Sequence, residues 1–209
     1  MLPDGWRNDR ARDMHEVDWT TEPDLDALRT AHGQLKTDPE RAIKALEGLA
    51  ARGSRMSMWY LAHAFICSSN IPRDLVRSRH WYQQAAGGGD VLFLHWVGRV
   101  SFDLEDWDAA IAAFSEASAR DYPPSQYWLG SMYRDGKGVP TDIDKTKALY
   151  EQATAAGHLF AKRDLAVLYM RGKFWVAKIS RGIALMLSLA KDLVLIRSKS
   201  MEELRERIT

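Results

Sequence analysis

The stretch SQYWLGSMYRDGKGVPTDIDKTKALYEQATAAGH, Ser125 to His158, reads as two helices joined by one turn. Bulky and small residues recur in it at spacings of three and four, as Tyr150 and Ala153 do, which puts them on one helical face. Gly136 and Gly138 allow left-handed backbone angles after the first helix, and Pro140 stops that helix from continuing. The same text recurs along the chain. QQAAGGGD, SEASARDY and EQATAAGH each close a helix-like segment, and they set four anchors, Gly53, Gly89, Asp121 and Gly157. The intervals of 36, 32 and 36 residues fall in the range of two-helix repeats.

The register holds in several columns. Eight residues after the anchors stand Leu61, Val97, Leu129 and Leu165, and one place further Ala62, Gly98, Gly130 and Ala166. Seven before the anchors stand Leu46, Tyr82, Phe114 and Tyr150, and four before stand Leu49, Ala85, Ala117 and Ala153, with Leu187 and Ala190 expected to continue both columns. Bulky knobs beside small sites let a neighbouring helix approach closely, the packing of stacked hairpins. The expected first helices run near Arg55–Cys67, Val91–Asp103, Pro124–Arg134 and Leu159–Arg171. The second helices run near Arg73–Ala86, Trp107–Ala119, Ile143–Ala155 and Ser180–Ile196. A degenerate pair precedes them, Asp24–Lys36 and Pro39–Arg52, with Asp38 capping and Pro39 in the first turn. The fold class is therefore all-α, a right-handed α-α superhelix, with residues 21–209 one solenoid of pairs 24–53, 54–88, 89–120, 121–156 and 157–196. Ser200 and Glu203 form a capping box for a closing helix over 200–208. Residues 1–20, highly charged and without helical periodicity, are expected to form a mobile arm anchored by Trp6 and Trp19.

Ser125–His158 closely resembles a Sel1-like repeat, a relative of the tetratricopeptide repeat. The parts that carry the resemblance are Leu129-Gly130, Met132-Tyr133, the Gly136-Lys137-Gly138-Val139 turn, Asp142, Lys147-Ala148, Tyr150, Ala153 and Gly157-His158. It extends over roughly residues 39–196, with departures. SSNIPRD replaces the glycine turn in the unit Gly53–Ala86, LEDWDAAIAAFSEA gives Gly89–Arg120 a plain tetratricopeptide look, and RGKFWVAKIS keeps only Gly172 of the turn in the last unit. Secreted relatives pair cysteines within each repeat; with Cys67 alone, this chain falls outside that branch. The resemblance implies a scaffold or adaptor of the kind that brings proteins together in signalling, secretion or envelope processes.

Carried onto this register, the family's concave positions are Trp59, His63, His95, Arg99, Tyr127, Ser131, Arg134, Arg163 and Arg171. Aromatic and arginine side chains supply much of the energy at interfaces, and four arginines suit an acidic peptide or helix of a partner protein. The alternative is a glycan-associated regulatory protein of envelope polysaccharide synthesis, using tryptophans as stacking platforms, although Trp81, Trp96, Trp107, Trp128 and Trp175 adjoin core columns and read first as packing.

Other chemistry finds little footing. The six histidines never stand at ligand spacing and no paired-cysteine pattern occurs, so no metal is expected. Cys67 with His63 four residues before it reads as a structural thiol. The glycines Gly87–Gly89 lack a phosphate-binding lysine motif and read as a helix terminator, so neither a cofactor nor a catalytic residue is assigned and no enzymatic activity is expected. Lys and Arg number 29 against 28 Asp and Glu, which leaves no field for nucleic acid, and Arg73, Arg77, Arg79 and His80 make only a small strip. The apolar run Ile183–Ile196 is too short to span a bilayer, so no membrane insertion is expected. A single cysteine and an N-terminus without an apolar stretch fit the reducing cytoplasm. Homodimerisation through an exposed end of the stack is expected near Lys173–Val176.

Overall fold

The computed structural model describes residues 22–87, 89–171 and 176–206, with residues 171, 176–179 and 198–206 described by backbone alone. The expected N-terminal arm with Trp6 and Trp19, most of Lys173–Val176, and the side chain of Arg171 lie outside the described residues. Among the described residues the chain is all-α, without strands, and belongs to the helical-repeat solenoids. The helices are α1 (Leu25–Gln34), α2 (Pro39–Ala51), α3 (Arg55–Cys67), α4 (Leu75–Ala85), α5 (Val91–Asp103), α6 (Trp107–Ala119), α7 (Pro123–Asp135), α8 (Ile143–Ala155), α9 (Leu159–Arg171) and α10 (Val176–Glu206). They belong to two compact units, divided between Ala117 and Ser118.

Local chemistry sets the helix ends. Asp24, Asp38, Asp74 and Asp142 each accept a hydrogen bond from the backbone N–H three residues on, satisfying a donor that the first turn leaves open. At the far ends the anchor column shows its purpose. Gly53, Gly89, Asp121 and Gly157 all have positive φ, 91°, 81°, 57° and 84°, because each turns the chain out of a second helix through the left-handed region. The N–H groups of Ser54 and His158 then reach back to Leu49 and Ala153, closing Schellman turns. Asp121 is the one member of the column with a Cβ to strain. Asp121→Gly is therefore expected to stabilise the protein by about 0.5–1 kcal/mol, seen as a rise in the urea midpoint, with a fall arguing against the strain.

In the first unit the core runs through the bulky column. Leu46, Tyr82 and Phe114 are buried, as are Leu61, Phe65 and Trp96, with Trp96 stacked on Tyr82 at 5.8 Å. In the second unit Tyr150, Leu165 and Tyr169 form the core, with Tyr127 and Leu185 against them. A column that the sequence does not advertise recurs in the second helix of each pair: Ala42, Ser78, Ala110, Thr146 and Gly182 are all buried. Thr146 donates from Oγ1 to the Gly130 carbonyl at 3.1 Å, and a Cβ on Gly182 would stand 3.0 Å from the equivalent Ala166 carbonyl.

Gly182 corrects the register of the last pair. Leu187 and Ala190 do not continue the bulky and small columns: Leu187 is 68% exposed, and the inward row is Gly182, Leu185, Leu189 and Asp192. Only glycine allows α10 to sit against Ala166 and Met170, and that contact turns the helix one residue away from the expected face. The separate closing helix at 200–208 is also replaced, because α10 runs unbroken from Val176 to Glu206. No glycine or proline stands between Ile183 and Glu206, so Ser200 has no break to cap.

Candidate binding site

The described groove residues fall into two groups. In the first unit Trp59 is buried and stacks face to face on half-buried His63, ring centroids 4.9 Å apart. His95 and Arg99, expected to line an open groove, are buried instead, at 0% and 2% exposure. The α5 face on which they lie is apolar nearly all round, through Leu92, Phe93, Trp96 and Val100, so that helix offers little solvated side. The basic strip is not an unpaired face either, since Arg73, Arg77 and Arg79 pair with Asp103, Glu47 and Asp106 at 3.4, 3.2 and 2.5 Å.

The second unit brings Tyr127, Ser131, Arg134 and Arg163 together around Asp164, which lies outside the expected groove positions. Asp164, its side chain 14% exposed, accepts from the Tyr127 hydroxyl at 3.0 Å, from Arg134 at 3.3 Å and from Arg163 Nε at 2.7 Å. Arg134 spends its fork on neighbours: Nε and one Nη bond Asp135 at 2.7 and 2.9 Å, while the other Nη reaches Tyr150 Oη at 3.1 Å and Asp164. Ser131 Oγ lies 2.8 Å from Tyr150 Oη and donates to the Tyr127 carbonyl at 3.0 Å. Tyr127 stacks on Tyr150 at 5.5 Å, so α7, α8 and α9 are pinned at one point. The expectation of arginines open to an acidic ligand is thereby corrected, because two arginines face two carboxylates and the cluster is locally neutral.

A recurring interval would have exposed this network. Glu47 with Arg77, Arg73 with Asp103, Arg134 with Asp164 and Lys162 with Asp192 are opposite charges 30 residues apart. Successive hairpins place those positions beside one another.

Burial, then the Asp164 charge, pushes the Tyr127 phenol up; burial does the same to Tyr150, and burial with the Glu151 hydrogen bond lifts Tyr169 to about 12. Each phenol holds its proton more tightly folded than unfolded. Their contribution is full below the unfolded value near 10 and is lost as pH rises from there through the folded values. The urea-unfolding free energy is therefore expected to fall between about pH 10 and pH 12, less steeply in Tyr169→Phe; equal slopes in the two proteins would contradict this.

The described tryptophans, Trp59, Trp81, Trp96, Trp107 and Trp128, are buried or half-buried. Among the described residues no helix is long and apolar enough to cross a membrane, and no group of three metal-ligating side chains occurs.

The Sel1 repeat family model matches residues 55–90 and 123–158, the segments that contain α3–α4 and α7–α8. The ERAD-associated E3 ubiquitin-protein ligase component HRD3B of Arabidopsis thaliana is 27% identical over 124 residues, 59% of this chain and 20% of that protein. A Sel1 repeat protein from Oxalobacter formigenes superposes with a TM-score of 0.63 at 18% identity, over 80% of this chain and 72% of that one. A protective antigen of uropathogenic Escherichia coli strains displaying an SLR fold gives 0.59 at 22% identity, over 70% and 33%. The chain thus spans about a fifth of the plant relative and a third of the bacterial antigen. Sel1 repeats are protein-interaction units and these structural likenesses concern the fold. With two segments that match the Sel1 repeat model and a helical-repeat fold shared with a Sel1 repeat protein, the chain carries two Sel1-like repeats, at residues 55–90 and 123–158.

Proposed function

We propose that this protein is an adaptor that holds a peptide or helix of a partner protein on the first-helix face of its second unit, and that it acts by binding without chemistry. The observation that carries the reading is the Asp164 knot, which fixes Tyr127, Arg134 and Arg163 from two successive repeats in one place. Side chains already immobilised lose little entropy on binding, and Arg163, 48% exposed and 5.4 Å over the Phe160 ring, offers an amphipathic contact. The locally neutral cluster favours recognition by shape and hydrogen bonding over selection for an acidic ligand. A reducing compartment such as the cytoplasm suits Cys67, the chain's one cysteine.

The test is a quantitative pull-down with the whole chain, followed by titration of the purified captured protein. A saturable protein ligand is expected, bound at least tenfold more weakly by Arg163→Glu and equally by Arg29→Glu on the first unit. Absence of any saturable protein ligand, or indifference to Arg163→Glu, would overturn the proposal. Envelope oligosaccharides are expected to leave the tryptophan fluorescence unchanged.

A further inference from the structure

We propose that α10 joins a second copy of the chain, in an antiparallel two-helix seam centred near Asp192. On α8, the helix one repeat earlier, the corresponding face is covered by the next hairpin: Lys147 lies 5.6 Å over the Tyr169 ring and Glu151 accepts from the Tyr169 hydroxyl. On α10 the equivalent places carry Ile183 and Leu187, 49% and 68% exposed. Further along, Leu193, Val194, Leu195 and Ile196 are all at least 44% exposed. A helix that is apolar all round over four consecutive residues is built to be covered.

The pattern on that face identifies the cover. Ile183, Leu187, Ala190, Val194, Arg197, Met201 and Leu204 follow one another at spacings of four and three, the seam of a helix that meets a helix like itself. At 1.5 Å per residue the stripe runs about 32 Å. Charge then sets the direction. The first half of α10 carries Lys178, Arg181 and Lys191 with no acid before Asp192, whereas after Arg197 and Lys199 the last two turns, residues 200–206, carry Glu202, Glu203 and Glu206 against Arg205 alone. A parallel pair sets like charges together, whereas an antiparallel pair sets each basic start against the other's acidic end and opposes the two helix dipoles. With the seam centred near Asp192, Ile183 faces Met201 of the second copy and Arg181 faces Glu203 of it. The N-terminal segment MLPDGWRNDRARDMHEVDWTT has no such stripe to offer in its place.

Sedimentation equilibrium of the full chain should give twice the 23.7 kDa protomer mass. Leu187→Glu combined with Val194→Glu should give a monomer with an unchanged far-ultraviolet spectrum, since both side chains are exposed. Direction is read with Cys67→Ser protein carrying Ile183→Cys or Met201→Cys. Mild oxidation should link the two variants when mixed and neither alone. A wild-type monomer at every concentration, a dimer indifferent to the two glutamates, or disulfides within each single variant would each overturn the seam, the first pointing to a partner helix as the cover.

Discussion

Gly98→Val is expected to destabilise the first unit by about 3 kcal/mol, because a Cβ at that place would stand 2.6 Å from the Phe114 ring. Phe114 is fully buried in a column that holds Tyr82 and Leu46 in the same unit, so the ring has no open side to move toward. Helix propensity favours valine over glycine by a few tenths of a kcal/mol, far less than the overlap costs. Gly98→Ala separates the two effects: a gain of up to ~1 kcal/mol in propensity is set against a smaller clash, and a net loss of about 1 kcal/mol is expected. Thermal unfolding should show the valine variant melting more than 10 °C below the parent and the alanine variant between them, given about 4–8 °C per kcal/mol for a unit of this size. Gly48, whose Cβ would meet nothing within 4 Å, serves as the control, and Gly48→Ala should raise the melting temperature.

Asp164→Ala is the second large change, with an expected loss of about 2–3 kcal/mol. It removes at once the acceptor of the Tyr127 phenol and a carboxylate shared by Arg134 and Arg163. The half-exposed arginines recover solvent contacts, which keeps the loss below that of a fully buried pair. Asp164→Asn retains an acceptor for Tyr127 and should lose about half as much. Arg163→Ala, removing only a half-exposed partner, should cost under about 1 kcal/mol. Guanidinium unfolding of the three variants checks the ranking, and an Asp164→Ala protein as stable as Arg163→Ala would show that the knot does not bind the helices together. For the same reason Arg134→Glu tests the fold before it tests binding: the new carboxylate would face Asp135 and Asp164.

The helices were legible because their signals are local. The starts of α2, α3 and α8 follow from Asp38, Ser54 and Asp142, and the ends of the second helices from residues that tolerate positive φ, so a few neighbours in the chain decide each boundary. The bulky column needed only a period, and Leu46, Tyr82, Phe114 and Tyr150 are all fully buried. The candidate site was half legible. Tyr127, Ser131, Arg134 and Arg163 come together as their register places them, yet the residue that assembles them lies 30 positions from Arg134 and 37 from Tyr127. His95 and Arg99 had the right face and the wrong environment, since the pattern along α5 does not say what lies over it.

The amino-acid sequence by itself determined the repeat, the helix termini and the anchor turns of this protein, because periodicity, capping and left-handed turns depend on residues a few places apart. Only the tertiary structure decided which arginines are spent inside the protein, and that α10 turns Leu187 outward. Both depend on contacts between different helices, Asp164 with Arg134 and Gly182 with Ala166, which the periodicity within a single helix does not report.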